Sequence, residues 1–94
     1  NEYKNEFLLH FIRINIERGI REGHYRADVD LEIMSRFRLE SMMIPFNISL
    51  YPPTQFNMAE TAQLIAENFI YGLATLQGHQ LIQSYQQAKK NNLS

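Results

Sequence analysis

The sequence predicts an all-α fold, an antiparallel bundle of four principal helices over about residues 3–22, 31–44, 58–74 and 76–89. Three observations carry this. Apolar residues recur at spacings of three and four in each long segment, helix start and stop residues separate those segments, and no strand alternation, internal repeat or low-complexity run occurs.

In the first helix Leu8, Ile12, Ile16 and Ile20 recur every fourth residue, with Phe7, Phe11 and Ile14 beside them, which reads as one broad apolar stripe. Gly19 weakens that helix or marks a close backbone approach, and Gly23 stands where a left-handed residue ends it. The second helix starts at "VDLEIM", with Asp30 as N-cap, Glu32 in the positive first turn, and Val29 positioned to staple against Met34. Ile33, Met34, Phe37, Ser41 and Ile44 form its inner stripe until Pro45, which lacks an N–H and crowds the preceding turn.

The segment "PFNISLYPP" is apolar but broken, and reads as a connector with at most one short turn between residues 46 and 50. Asn57 followed three residues later by Glu60 has the spacing of a capping box, and Ala62, Ile65, Phe69, Leu73 and Leu76 repeat behind it. Gly72 and Gly78 flank a corner in which Thr75 can cap a new helix carrying Leu81, Ile82 and Tyr85. "KKNNLS" reads as a solvated, frayed tail.

Ninety-four residues fit one domain, with a core that leaves stability thin. Nine Lys and Arg against ten Asp and Glu give a net charge of −1, so these residues have no basic footprint for nucleic acid. The absence of cysteine excludes disulfides and thiolate metal sites and fits a reducing compartment. No apolar run is long enough to span a membrane. The opening "NEYKNEFLLH" is acidic and amphipathic, lacks an initiator Met and reads as the inside of a helix, so a longer parent chain is expected.

The stretch "GIREGHYRADVD" is dense in polar groups, and His24, Asp28 and Asp30 are ligand types for a divalent metal. No supporting motif completes a ligand set, whereas Asp30 has a capping role and Asp28 a turn role. His10 and His79 stand alone, and no nucleophile, base and orienter assemble from Ser35, Ser41, Ser49 or Thr75. No catalytic residue, metal ligand or cofactor is expected.

Aromatic and Met residues concentrate around the proline-broken connector. They suit either plain core packing or an adaptable apolar pocket; a pocket would be lined by Phe11, Phe37, Met42, Phe46 and Tyr71. The last two helices carry small residues and wide apolar stripes. Either they pack only within the chain, or two such helices from each of two chains form a four-helix interface through Ala62, Ala66, Phe69, Leu73, Leu81 and Tyr85.

Two motifs within residues 12–87 carry a family resemblance. One is the glycine-spaced helix end with Gly19, Gly23, Tyr25, Arg26, Asp28 and Asp30; the other is the corner with Gly72, Ala74, Thr75 and Gly78 in "FIYGLATLQGHQLIQSY". Together they resemble the C-terminal regulatory domain of TetR-family bacterial transcriptional repressors. The resemblance implies that residues 1–94 are a ligand-binding and dimerisation domain, a homodimer through the last two helices with a cavity in the helical body. It also implies that DNA is bound only by an N-terminal helix-turn-helix domain, which these 94 residues lack.

The expected function is therefore that of a cytoplasmic, non-enzymatic regulatory domain whose small, apolar effector modulates DNA binding by the parent protein. A constitutive helical dimerisation or interaction domain without a small-molecule site is the alternative. A small metal-dependent enzyme would require His24 and Asp28 to converge with another ligand.

Overall fold

The computed structural model describes residues 2–93, with side chains from residue 5 to residue 91. Its helices are α1 (Glu2–Arg21), α2 (Leu31–Ser41), α3 (Met58–Leu73) and α4 (Leu76–Leu93), with one 3-10 turn at Ile44–Phe46. No strand occurs among the described residues; a single antiparallel bridge joins Tyr25 to Ala74. The fold is all-α.

Local chemistry explains the boundaries. Gly23 takes φ +80° and ends α1. Its N–H donates to Ile20 O and the His24 N–H to Gly19 O, the paired bonds of a Schellman motif. The Ile33 N–H donates to Asp30 Oδ1 at 2.9 Å, and the Glu60 N–H donates to Asn57 Oδ1 at 2.9 Å, so both expected N-caps form.

Helix α2 ends at Ser41, short of the expected residue 44. A helix continued to Pro45 would drive the proline ring into the Ser41 carbonyl. The chain tightens into the 3-10 turn instead, and Ile44 leaves the α2 stripe. In contrast, α4 runs through the lysines and asparagines expected to fray, as far as Leu93; Ser94 lies outside the described residues.

Helix α1 packs chiefly on α2, and the 3-10 turn leans on α3. Among the described residues Ile16 and Leu73 are the buried large apolar side chains, accompanied by Gly19, Ser35, Ser41, Pro45 and Gly78. Small residues thus sit where elements approach most closely. The α1–α2 pair is clipped at its surface by Arg13, whose Nε and Nη2 donate to the two Glu32 carboxylate oxygens at 2.7 and 3.0 Å.

The apolar residues of α1 do not form one stripe. Ile16 and Gly19 are buried, with Ile12 and Ile20 beside them, while Phe7, Phe11 and Ile14 are exposed. At 3.6 residues per turn, positions 7, 11 and 14 fall on the side of the helix opposite Ile16.

The molecule is thin, with extents of 43 × 40 × 18 Å. Its radius of gyration is 14.9 Å, against about 12.4 Å for a compact domain of this length. Its accessible surface is 7213 Å²; a folded monomer of 11.1 kDa exposes about 5,700 Å². The single chain therefore carries about 1,500 Å² of surplus surface on this scale.

Candidate functional site

The polar stretch at the end of α1 is held in place by hydrogen bonds to a distant part of the chain. It is a clasp that closes on the α3–α4 corner some fifty residues away. The Arg26 N–H donates to Leu73 O and the Thr75 N–H to His24 O, both at 2.9 Å. The Thr75 hydroxyl donates to Gly23 O at 2.7 Å and accepts from the Gly78 N–H at 3.0 Å, so one side chain caps α4 and holds the loop. The Arg26 guanidinium donates through Nη1 to Gly72 O and through Nε to Asp28 Oδ1.

Two glycines make this closeness possible. A Cβ at Gly19 would collide with the Tyr25 ring, and a Cβ at Gly78 would overlap the His24 carbonyl. Tyr25 thus lies over α1 while its backbone bridges to Ala74. Burial pushes the Tyr25 hydroxyl above its ordinary pKa, against a smaller opposing effect from the Arg38 charge.

The remaining polar groups of the stretch have structural partners. Asp30 caps α2 and Asp28 holds Arg26. His24 Nδ1 lies 3.6 Å from a Glu22 carboxylate oxygen. Among the described residues no three His, Cys, Asp or Glu side chains gather as metal ligands, and no helix is long and apolar enough to cross a membrane.

The five residues expected to line a pocket are not brought together. Phe11 pairs edge-on with Phe7 at 4.9 Å, and Phe37 packs 5.9 Å from Phe69, which also faces the Arg38 guanidinium. Phe46 is exposed on the connector. Tyr71 turns towards α4, donating its hydroxyl to Gln86 Oε1 at 2.8 Å with its ring 4.7 Å from His79. Of the five, Met42 alone lines an open groove of about 650 Å³ between α1 and α2, with Leu8, Leu9, Leu39 and Met43 on its walls. A second cleft of about 300 Å³ lies beside the clasp, between Arg18, Tyr25, Ile70 and Leu81.

Comparisons with protein-family models, with curated proteins and with solved structures give no match to this chain.

The residues expected at a dimer interface divide. Ala62 and Tyr85 are exposed, Ala66, Phe69 and Leu81 are half-buried, and Leu73 is 2 % exposed. Leu73 belongs to the core of the single chain, because the clasp folds over the end of α3. It is therefore removed from the interface set.

The distribution of charge along the sequence carries a further signal. Glu60 and Glu67 are the only charged residues between Ser41 and Ala88; the other seventeen of the nineteen charges lie outside that span. Residues 41–59 and 68–88 are two uncharged runs, and both contain strongly exposed apolar side chains: Met43, Ile48 and Leu50 in the first, Leu76 and Tyr85 in the second. Exposed surface without charge is the composition of an interface core rather than of a solvated face.

Proposed function

We propose that this chain is the homodimerising, effector-responsive part of a regulator resembling the TetR family, with DNA bound by a domain outside these 94 residues. The observation that carries the reading is the surplus of about 1,500 Å² combined with the exposed apolar side chains of α3 and α4, Leu64, Leu76 and Tyr85. A standard protein interface takes about 800 Å² from each partner. Two copies meeting through α3 and α4 would cover Ala62, Ala66, Leu81 and Tyr85 and leave the charged α1–α2 half in water.

The clasp supports the regulatory part of the proposal. It unites the two motifs on which the resemblance rests, since Arg26 and the Gly23–His24 carbonyls engage Gly72, Leu73 and Thr75. The end of α1 is thereby tied to the corner between the proposed dimer helices, and a ligand favouring one arrangement of that corner would bias α1 with it. The groove between α1 and α2 is the candidate effector site, with an apolar floor and Glu6, Arg36 and Glu40 along it.

A constitutive dimerisation domain is the second reading. It is favoured by the failure of Phe11, Phe37, Met42, Phe46 and Tyr71 to converge on one cavity. Analytical ultracentrifugation between 1 and 100 µM (concentrations on the order of typical dimer constants) tests the shared claim. The expected result is a dimer that Tyr85→Glu converts to a helical monomer; a wild-type monomer throughout refutes both readings. Native mass spectrometry of protein purified from cells then divides them, retained small molecule supporting an effector site and none favouring the constitutive dimer.

A further inference from the structure

The cleft beside the clasp has two walls of opposite character. Asn15, Arg18 and Gly19 of α1, with Glu22 just beyond it, line one side at the spacing i, i+3, i+4, i+7 and so share one helix face. The Glu22 N–H still donates to Arg18 O, which carries the helical turn as far as that residue. The opposite side is Gly78, Leu81, Ile82 and Tyr85 of α4 at the same spacing, with Ile70 of α3 beside them. A polar, charged wall thus faces an apolar one across a cleft of about 300 Å³.

The walls are held together only at the clasp. There a Cβ at Gly19 would meet the Tyr25 ring and one at Gly78 the His24 carbonyl, whereas α1 and α4 themselves make little contact. The charges of the first wall are also uncommitted. Glu32 and Arg36 pair across one helical turn at 3.6 Å. Arg18 and Glu22 stand at the same sequence separation, yet among the described residues Arg18 has no carboxylate partner and Glu22 has only His24 Nδ1 at 3.6 Å.

We infer that this cleft binds a free α-amino acid with an apolar side chain, its carboxylate on Arg18, its ammonium on Glu22 and its side chain against Ile70, Leu81 and Ile82. The site is separate from the groove between α1 and α2. Three features choose the class. A cation and a carboxylate one helical turn apart, about 5–6 Å between Cβ atoms, match a molecule that carries both charges on one carbon. The apolar wall opposite matches its side chain, whereas a wholly apolar molecule would cover Arg18 and Glu22 without pairing them. A volume of about 300 Å³ stands at the small end of ligand clefts, which suits a single amino acid.

The probe is L-leucine, titrated into isotope-labelled protein and read by NMR on the methyl groups of Ile70, Leu81 and Ile82. Those methyls should shift together and saturate. Leucinamide, which lacks the carboxylate, and N-acetyl-leucine, which lacks the ammonium, should each bind about tenfold or more weakly. Arg18→Gln should weaken leucine by a similar factor and leave leucinamide unchanged, while Glu22→Gln should weaken leucine and leave N-acetyl-leucine unchanged. Both side chains are exposed, and unchanged circular dichroism verifies that the variants are folded. Methyls that do not respond to leucine overturn the inference. Equal binding of the three ligands makes the cleft a general apolar site and overturns it as well, and so do shifts confined to Leu39 and Met42, which place leucine in the α1–α2 groove. Leu81 and Tyr85 also belong to the face assigned above to a second copy, so sedimentation is run on the same samples: a monomer that binds leucine upholds this inference and refutes the dimer.

Discussion

Gly78→Ala should destabilise the protein by about 2–4 kcal/mol, while the same change at Gly72 should stabilise it. Each alanine gains up to about 1 kcal/mol of helix propensity over glycine. At Gly72 nothing lies within 4 Å of the added methyl, so the gain stands alone. At Gly78 the methyl would overlap the His24 carbonyl oxygen and lie 2.8 Å from its carbon. Ordinary carbon–carbon contact is about 3.5–4.0 Å, so the His24 peptide must retreat by roughly 1 Å. That retreat strains the bond from the Thr75 N–H to His24 O and, through the bridge, the bond from the Arg26 N–H to Leu73 O, each now 2.9 Å. Two backbone bonds at about 1 kcal/mol each and an overpacking cost of about 1–3 kcal/mol outweigh the gain by the amount stated. Urea unfolding followed by circular dichroism, at one fixed protomer concentration, reads both variants. The reasoning is refuted if Gly78→Ala matches wild type or if the two alanines move the midpoint in the same direction.

Three further outcomes follow from named groups. Ser35 is wholly buried with no hydrogen-bond partner for its hydroxyl, so Ser35→Ala should raise stability by about 1 kcal/mol in the same urea assay; a loss would mean the hydroxyl has a partner. Asp30→Ala removes the acceptor for the Ile33 N–H and should cost about 1 kcal/mol, with Asp30→Asn restoring most of it. Tyr25 has a raised pKa because its burial disfavours the phenolate; the unfolded tyrosine ionises first, so stability should fall as pH rises from the model-peptide value of about 10 towards the higher folded value. Tyr25→Phe should remove that part of the alkaline slope, and an unchanged slope would show that Tyr25 ionises as freely folded as unfolded.

What the sequence made legible was mostly local. Asp30, Asn57 and Thr75 cap helices and Gly23 ends one because each acts on backbone groups within a few residues of itself, and such effects are written in the order of residues. The α2 boundary lies three residues before the expected one because the proline acts backwards, on the Ser41 carbonyl. The broad stripe of α1 resolved into two opposite faces because apolar spacing alone does not say which neighbour exists to cover each side. The clasp was the least legible element. Arg26 and Thr75 find Gly72 and Gly23 only after two helices and a connector have been folded between them. The dispersed pocket residues show the same limit: Tyr71 and Phe37 are apolar groups at helical spacing, and their directions were set by Gln86 and Phe69. The two uncharged runs, residues 41–59 and 68–88, are by contrast plain in the sequence, but only when charge is followed along the whole chain rather than within one short stretch.

The clasp also gives the chain a closed topology. Residues 26 and 73 are joined, so α2, the connector and α3 form one ring sealed by hydrogen bonds in a protein that has no cysteine to seal it covalently. Closing a ring of that length costs entropy that grows only slowly with its size, and the contacts that repay it form all together or not at all. Opening is therefore a single event. The amide protons of Arg26 and Thr75 should exchange with solvent at a common rate, set by that one opening, although they lie on opposite sides of the seam.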